Sequence, residues 1–213
     1  MVEKAARRLS EAKVATTSKR GPYAKTLQRR QQIIDRVLTV YHDLGADGTS
    51  LRAIAQSIGV THPVLVHQFG SREELFLEVL SEYDERIRRH VADASTVEDY
   101  LRRGAEYSVS QPGLMALLSS MVSRALEGSS SERSRAHFSA RYAQLRAEFA
   151  DLLRDGQRQG AVRTDLSAED LAVVALAAAD GLTTQWLLDG SESFTAGVAT
   201  VSRLLAPVPN EST

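Results

Sequence analysis

Side chains with recognition chemistry concentrate between Thr49 and Arg72. Arg52, Arg72, His62 and His67 offer cationic or imidazole donors, Thr49, Ser50, Thr61 and Gln68 offer hydroxyl and amide groups, and Pro63, Val64 and Val66 add small apolar surface. Guanidinium, hydroxyl and amide groups bond phosphate oxygens or base edges, and small apolar side chains pack on thymine methyl groups. The set therefore suits a nucleic-acid surface. Patterns for catalysis or metal binding do not occur. The five histidines (His42, His62, His67, His90, His137) show no His-x-x-x-His or His-x-Glu spacing, and neither Gly-x-Ser-x-Gly nor Gly-x-Gly-x-x-Gly is present. Acid pairs such as Glu73/Glu74 and Glu169/Asp170 fall in first helical turns, where the helix dipole accounts for them. We expect no enzyme, no metal and no cofactor.

Two short helices around a tight turn would position these groups. Leu51, Ile54, Ala55 and Ile58 recur at helical spacing, and Gly59 suits the left-handed position that ends such a helix. Thr61 can cap a second helix, with Pro63 tolerated in its first turn. Leu65 and Phe69, four apart, would anchor that helix inward and leave His62, Pro63, Val64, Val66 and His67 outward. A short helix set at a turn to its neighbour, with such an outward face, is the shape that enters a DNA major groove. Upstream, Leu27, Ile33, Ile34, Val37, Leu38, Tyr41 and Leu44 trace one helical stripe from about residue 26. Downstream, Ser71 and Glu74 form a capping box that opens a connecting helix over residues 72–92.

The rest also reads as helix, with further capping boxes at Thr96 and Ser167, a helix start at Pro112 and a flexible connector at Gly128-Ser129-Ser130-Ser131. The expected class is all-α: a basic arm over 1–25, a helix-turn-helix DNA-binding domain over 26–72, a helical effector and dimerisation domain over 93–206, and a tail over 207–213. The helix after Ser167 is apolar around most of its circumference, so it must be covered on more than one side. We expect Leu171, Val174, Leu182, Val198, Val201 and Leu205 to face a second copy in a four-helix bundle; the central helix of a monomeric bundle is the alternative.

The 213 residues are 43% apolar and 25% charged, with no cysteine, which excludes disulfides and fits a reducing cytoplasm. The longest apolar run, Leu171–Ala179, stops at Asp180, well short of the ~20 residues that span a bilayer. No secretory signal is evident, so Asn210-Glu211-Ser212 is a chance sequon. The net charge of −1 hides an asymmetry: residues 1–30 carry nine Lys/Arg against two Glu, a net of +7. A basic arm before an acidic body is the layout of a protein that meets a polyanion at one end.

Residues 31–80 closely resemble the N-terminal domain of the TetR family of bacterial transcription regulators. The likeness rests on the apolar helix to Gly45, Ser50-Leu51-Arg52-Ala53-Ile54-Ala55, Gly59-Val60, Leu65 to Phe69, and Ser71-Arg72-Glu73-Glu74-Leu75. The resemblance implies a homodimer on a double-stranded DNA operator, with a small-molecule effector in the C-terminal domain. It places Arg52, the outward residues of the second short helix and Arg72 at the DNA. Val64 and Val66 stand where the family commonly has threonine and tyrosine, which shifts the expected readout toward shape and apolar contact. For the effector, Tyr107, Met115, Met121, His137, Phe138, Tyr142, Phe149, Gln185 and Trp186 are the candidate lining residues; a dry core is their alternative. Two rival functions are a constitutive DNA binder without effector and a helical ligand-binding protein with a degenerate DNA domain.

Overall fold

A computed structural model describes residues 22–44, 50–127, 132–190 and 193–208. Most of the basic arm, Thr49, the serine connector and the extreme C-terminus lie outside the described residues. Among those described there are nine helices and no strand: α1 Pro22–Leu44, α2 Leu51–Ser57, α3 His62–Phe69, α4 Arg72–Val91, α5 Val97–Val109, α6 Pro112–Leu126, α7 Glu132–Arg158, α8 Ala168–Asp189 and α9 Ser193–Leu205. Helix α1 begins at Pro22 rather than near residue 26, because a proline in the first turn lacks only an N–H that would have no intrahelical partner.

The first four helices share one apolar core. Ile33, Ile34, Val37 and Leu38 of α1 meet Ile54, Ala55 and Ile58 from α2 and its cap, Leu65 and Phe69 of α3, and Leu75, Val79 and Leu80 of α4. The turn between α2 and α3 follows from local chemistry. The Ser50 hydroxyl accepts from the Ala53 N–H at 3.1 Å, and Gly59, at φ 70°, adopts the left-handed conformation that closes α2. Thr61 occupies the N-cap of α3 but makes no side-chain capping bond. At α4 half of the capping box forms: Ser71 Oγ accepts from the Glu74 N–H at 3.1 Å, while the Ser71 N–H goes to the Phe69 carbonyl at 2.9 Å. The Glu74 carboxylate pairs instead with Arg133 of α7.

Two arginines of α1 brace this unit. Arg36 Nη1 donates to the Ile58 carbonyl at 2.7 Å. Arg30 lies 4.5 Å from the Phe69 ring centroid, donates to the Gln68 carbonyl, and pairs with Glu78 through Nε at 2.8 Å. Arg30, counted by charge with the basic arm, is thus committed to holding α3 against α4.

The remaining helices form a bundle in which α8 packs between α7 and α9, and α9 closes back on α5. Thr96 and Ser167 cap α5 and α8, accepting from the Asp99 and Asp170 N–H groups at 3.0 Å each. Gly197 lets α9 approach α8 closely, since a Cβ there would meet the Leu182 side chain. The expected dimer contacts need correction here. Leu171, Val198 and Leu205 are buried inside the protomer, Leu182 lies over Gly197, and Val201 packs on the core made with Leu153 and Phe149. Val174 is the exception, 67% exposed, and beside it stand Val173 and, further along α8, Leu188 at 83%. Helix α8 is long and apolar enough, by length and composition, to cross a bilayer, which its interrupted apolar run did not suggest. Asp180 at its centre and its contacts with α7 and α9 place it in the bundle, with one apolar strip left open.

The reader's anchoring gives a stability prediction. Leu65 is fully buried, so Leu65→Ala should cost about 2–5 kcal/mol. Ser71→Ala, which removes only the α4 cap, should cost about 1 kcal/mol. Urea unfolding followed by circular dichroism measures both.

Candidate nucleic-acid interface and ligand cavity

Helix α3 turns Leu65 and Phe69 inward, which leaves His62, Pro63, Val66 and His67 on the open side. His62 and Val66 form one i,i+4 row and Pro63 and His67 the next, giving a narrow strip of imidazole and apolar surface. Val64 is half-buried at its edge. Gln68 is also half-buried, its carboxamide oxygen sequestered without a hydrogen-bond partner. Arg52 on α2 is exposed and makes no ion pair among the described residues, and Ser50 and Thr61 are exposed at the starts of α2 and α3. Arg72, at the first turn of α4, is half-buried with its guanidinium 5.0 Å from the Phe76 ring centroid. The geometry thus gathers ten of the eleven DNA-facing candidates on α2, α3 and their flanks, and Thr49 falls outside the described residues.

A second feature lies among α4 to α9. A cavity of ≈ 180 Å³ is walled mainly by apolar side chains, Ile87, Leu118, Leu145, Leu176 and Phe194 among them. Its polar groups fall into three pairs. Arg141 of α7 grips Asp84 of α4 through two parallel bonds, Nε to Oδ2 at 2.7 Å and Nη2 to Oδ1 at 2.8 Å, with the side chains only 11% and 8% exposed. Burial alone would lower the Arg141 pKa, but the Asp84 bonds and charge outweigh it and raise it. The Tyr83 hydroxyl bonds Ser108 Oγ at 2.9 Å, and burial pushes its pKa up to about 12. Tyr142 is likewise pushed up to about 12, by burial and then by Asp180, whose carboxylate its hydroxyl bonds. Partial burial raises the Asp180 carboxyl above the ordinary value, against the opposing pull of Tyr142 and Arg141, although the residue keeps an exposed surface that limits the effect.

Of the expected effector residues, Met115 and Tyr142 line this cavity and the others do not. Phe138 joins Tyr142 in an outer groove between α6 and α7. Met121 lines a cleft beside Arg72 at the start of α4. Tyr107 lies against Tyr83 and His90, with centroids 5.8 and 5.3 Å away. His137 packs edge-on to Phe138, and burial lowers its pKa. Phe149 lies tilted against Tyr100, Trp186 lies tilted against Phe194, and Gln185 is exposed. Size and polarity in mid-helix do not say which side of a helix meets a void. The residues missed were Tyr83, Asp84, Ser108, Arg141 and Asp180. Their signal was present: Asp84 interrupts the inward row Leu80, Tyr83, Ile87 of α4, and a charge there needs a partner. Among the described residues no group of His, Cys, Asp or Glu could hold a metal ion.

A helix-turn-helix head and a helical bundle, joined through one shared helix, have the layout of a DNA-binding transcriptional regulator. Known proteins agree. Residues 33–79 match the family model for bacterial regulatory proteins of the TetR family, and residues 96–208 match that for the C-terminal domain of BetI-type transcriptional repressors. The chain belongs to the TetR family of transcriptional regulators, which are not enzymes. Among solved structures, a TetR-family regulator from Agrobacterium tumefaciens superposes with a TM-score of 0.68 at 18% identity, covering 83% of this chain and 99% of that one. Salmonella enterica GusR superposes with a TM-score of 0.65 at 20% identity, covering 88% and 99%. The repressor AcnR of Corynebacterium efficiens is 27% identical over 74 residues, which are 35% of this chain and only 39% of AcnR. The chain therefore spans about two fifths of that curated relative's length.

The buried pair makes a sharp test of the bundle. Arg141→Met alone strands the Asp84 carboxylate in the interior and should cost about 3–5 kcal/mol. Replacing both, Asp84→Leu with Arg141→Met, should cost less than the single change. Equilibrium urea unfolding of the two variants measures the difference.

Proposed function

We propose that the protein is a homodimeric repressor that binds a palindromic operator through α3 and leaves it when a small molecule occupies the α4–α9 cavity. The observation that carries this reading is the double membership of α4. Its first half buries Leu75, Val79 and Leu80 in the core that seats α3, and its second half presents Tyr83, Asp84, Ile87 and Val91 to the cavity. A ligand that alters the wall alters the helix on which the reader is mounted. It must prefer the DNA-incompetent arrangement, with a coupling of about 1–3 kcal/mol, to act as an inducer.

The open strip of Val173, Val174 and Leu188 on α8, with Leu204 on α9, supports dimerisation, because a monomer rarely leaves such apolar surface uncovered. A dimer would present two α3 helices, and paired operator half-sites ~34–36 Å apart are what such readers bind. In this reading residues 26–72 are the reader, 72–92 the link and 93–206 the effector and dimer domain, working on chromosomal DNA in the cytoplasm. The name of AcnR favours repression over activation. Arg52, His62, Pro63, Val66 and His67 make the principal groove contacts, Ser50, Thr61, Val64, Gln68 and Arg72 flank them, and the arm adds phosphate contacts.

Selection from random genomic fragments tests the operator reading: enrichment of one palindromic sequence is expected, and binding without sequence preference would replace it with a constitutive binder. On the selected operator, Arg52→Ala and His67→Ala should each weaken binding about tenfold or more, the worth of one good base or phosphate contact. Both should leave the dimer intact by light scattering. Val174→Glu should instead yield monomers. Removing residues 1–21 should reduce the log–log salt slope by ~0.9 for each phosphate that the arm neutralises. An unchanged slope would deny the arm its role.

A further inference from the structure

Most arginines of α7 are paired. Arg133 meets Glu74, Arg141 meets Asp84, Arg154 meets Asp151 and Glu169, and Arg158 meets Asp155. Arg135 and Arg146 make no ion pair or hydrogen bond among the described residues, and both stand exposed on the outer groove between α6 and α7. That groove, of ≈ 500 Å³, is floored by the buried Ala125 and Phe138 and by the half-buried Val122 and Tyr142. Leu126, 80% exposed, stands at its rim. Among the described residues no carboxylate lines it. Arg135, Ser139, Tyr142 and Arg146 follow one another at spacings of four, three and four, so they form one row along α7. The two arginine positions are eleven residues apart, about 16 Å along the helix axis. An apolar trough with an unanswered positive charge toward each end is the complement of an apolar segment with an acid at each end.

We propose that this groove docks an amphipathic acidic helix of a partner protein, about three turns long. Its apolar face covers Val122, Leu126 and the Tyr142 ring, and carboxylates at its two ends meet Arg135 and Arg146. A compact lipophilic anion answers one guanidinium and leaves the other, and the open rim keeps much of it in water, whereas small-molecule pockets enclose most of their ligand. A nucleic-acid backbone answers the arginines but makes no use of the apolar floor. A second copy of this chain fits less well. Its exposed apolar helix, α8, has carboxylates at the matching spacing, Glu169 and Asp180, but these already serve Arg154 and the Tyr142 hydroxyl. The docked area is smaller than a standard interface, so a reversible contact of micromolar affinity is expected. The site does not depend on the small-molecule reading, since neither Arg135 nor Arg146 lines the α4–α9 cavity. Because Arg141, beside Tyr142, holds Asp84 of α4, the partner would rest on the helix that clamps the link to the reader.

The test uses the full chain and three fluorescein-labelled synthetic helices, stapled on the far face so that all are equally helical. They share one leucine face and differ only at two positions eleven residues apart, which hold Glu, Gln or Lys. By fluorescence anisotropy the Glu helix should bind at least ~10-fold more tightly than the Lys helix, with the Gln helix between them. The double variant Arg135→Gln with Arg146→Gln should bring all three to within about threefold of one another. Leu126→Ser should weaken all three and keep their order. All three replaced side chains are exposed, so the fold is expected to persist, and circular dichroism checks it. The comparison of helices on the unaltered chain stands whatever the variants do. No binding by the Glu helix, equal binding by the Lys helix, or a preference that survives the double variant would each overturn the proposal. Dodecanoate is tested in competition: if it binds in a manner that needs both arginines and displaces the Glu helix, the groove belongs to a small amphiphilic anion instead. A change of mass by light scattering in the double variant would assign the groove to a second copy of the chain and likewise overturn it.

Discussion

The buried bond between Asp84 and Arg141 is the constraint around which the molecule is arranged. Two charges at 2.7–2.8 Å, each about nine-tenths buried, tolerate little displacement, because either one alone in that interior is costly. The bond joins the middle of α4 to the middle of α7. Helix α4 cannot therefore slide along the bundle freely. Its lateral position is set by packing that is less exacting: Ile87 against the cavity and Leu75, Val79 and Leu80 against the reader. The softer side is the C-terminal half of α4, where Ile87 and Val91 face the cavity. The polar links at its start, Ser134 to Glu73 and Arg133 to Glu74, tie the same two helices again near the reader.

The reader itself is built to be carried rather than to flex. Leu65 and Phe69 fix α3 from beneath, and Arg30 fixes its C-terminus by covering Phe69, bonding the Gln68 carbonyl and pairing with Glu78 of α4. Arg36 does the same for the end of α2 through the Ile58 carbonyl. Motion of α4 is thus passed to α3 as a unit. That matters for a protein proposed to switch by separating two recognition helices, since a loose α3 would absorb the movement.

What was legible in the sequence was local. Caps at Ser50, Ser71, Thr96 and Ser167 bond the N–H three residues on because serine and threonine at those places have little else to do. The α2–α3 turn was legible for the same reason, in Gly59 and in the spacing of Leu65 and Phe69. What was not legible was which neighbour covers an apolar face. Leu171, Val198 and Leu205 have the pattern of interface residues, but α7, α9 and α5 of the same chain bury them, while Val173 and Leu188 stay outside. Periodicity records that a face needs cover and not whose. The cavity was missed by a related route: its polar residues are single charges within apolar rows, and their meaning appears only when α4, α7 and α8 are brought together.

The intramolecular use of Arg30 and Arg36 also bears on how the proposed DNA contact must be divided. With those two guanidiniums engaged inside the head, Arg52 is an exposed cation beside the reader, and Arg72 sits half-buried at its flank. Residues 26–72 sum to only +2, five arginines against three acids, so the folded head itself exerts a modest pull on a polyanion compared with the +7 of residues 1–30. The strip on α3 offers imidazoles and apolar carbons, which can discriminate bases but supply little long-range pull. Under the proposed function affinity and selectivity are then separable: the lysine-bearing arm would draw the protein to the phosphates, and α3 would decide where it stays. A relative with a tyrosine or threonine in place of Val66 or Val64 has polar grip within the reader itself and depends less on such an arm.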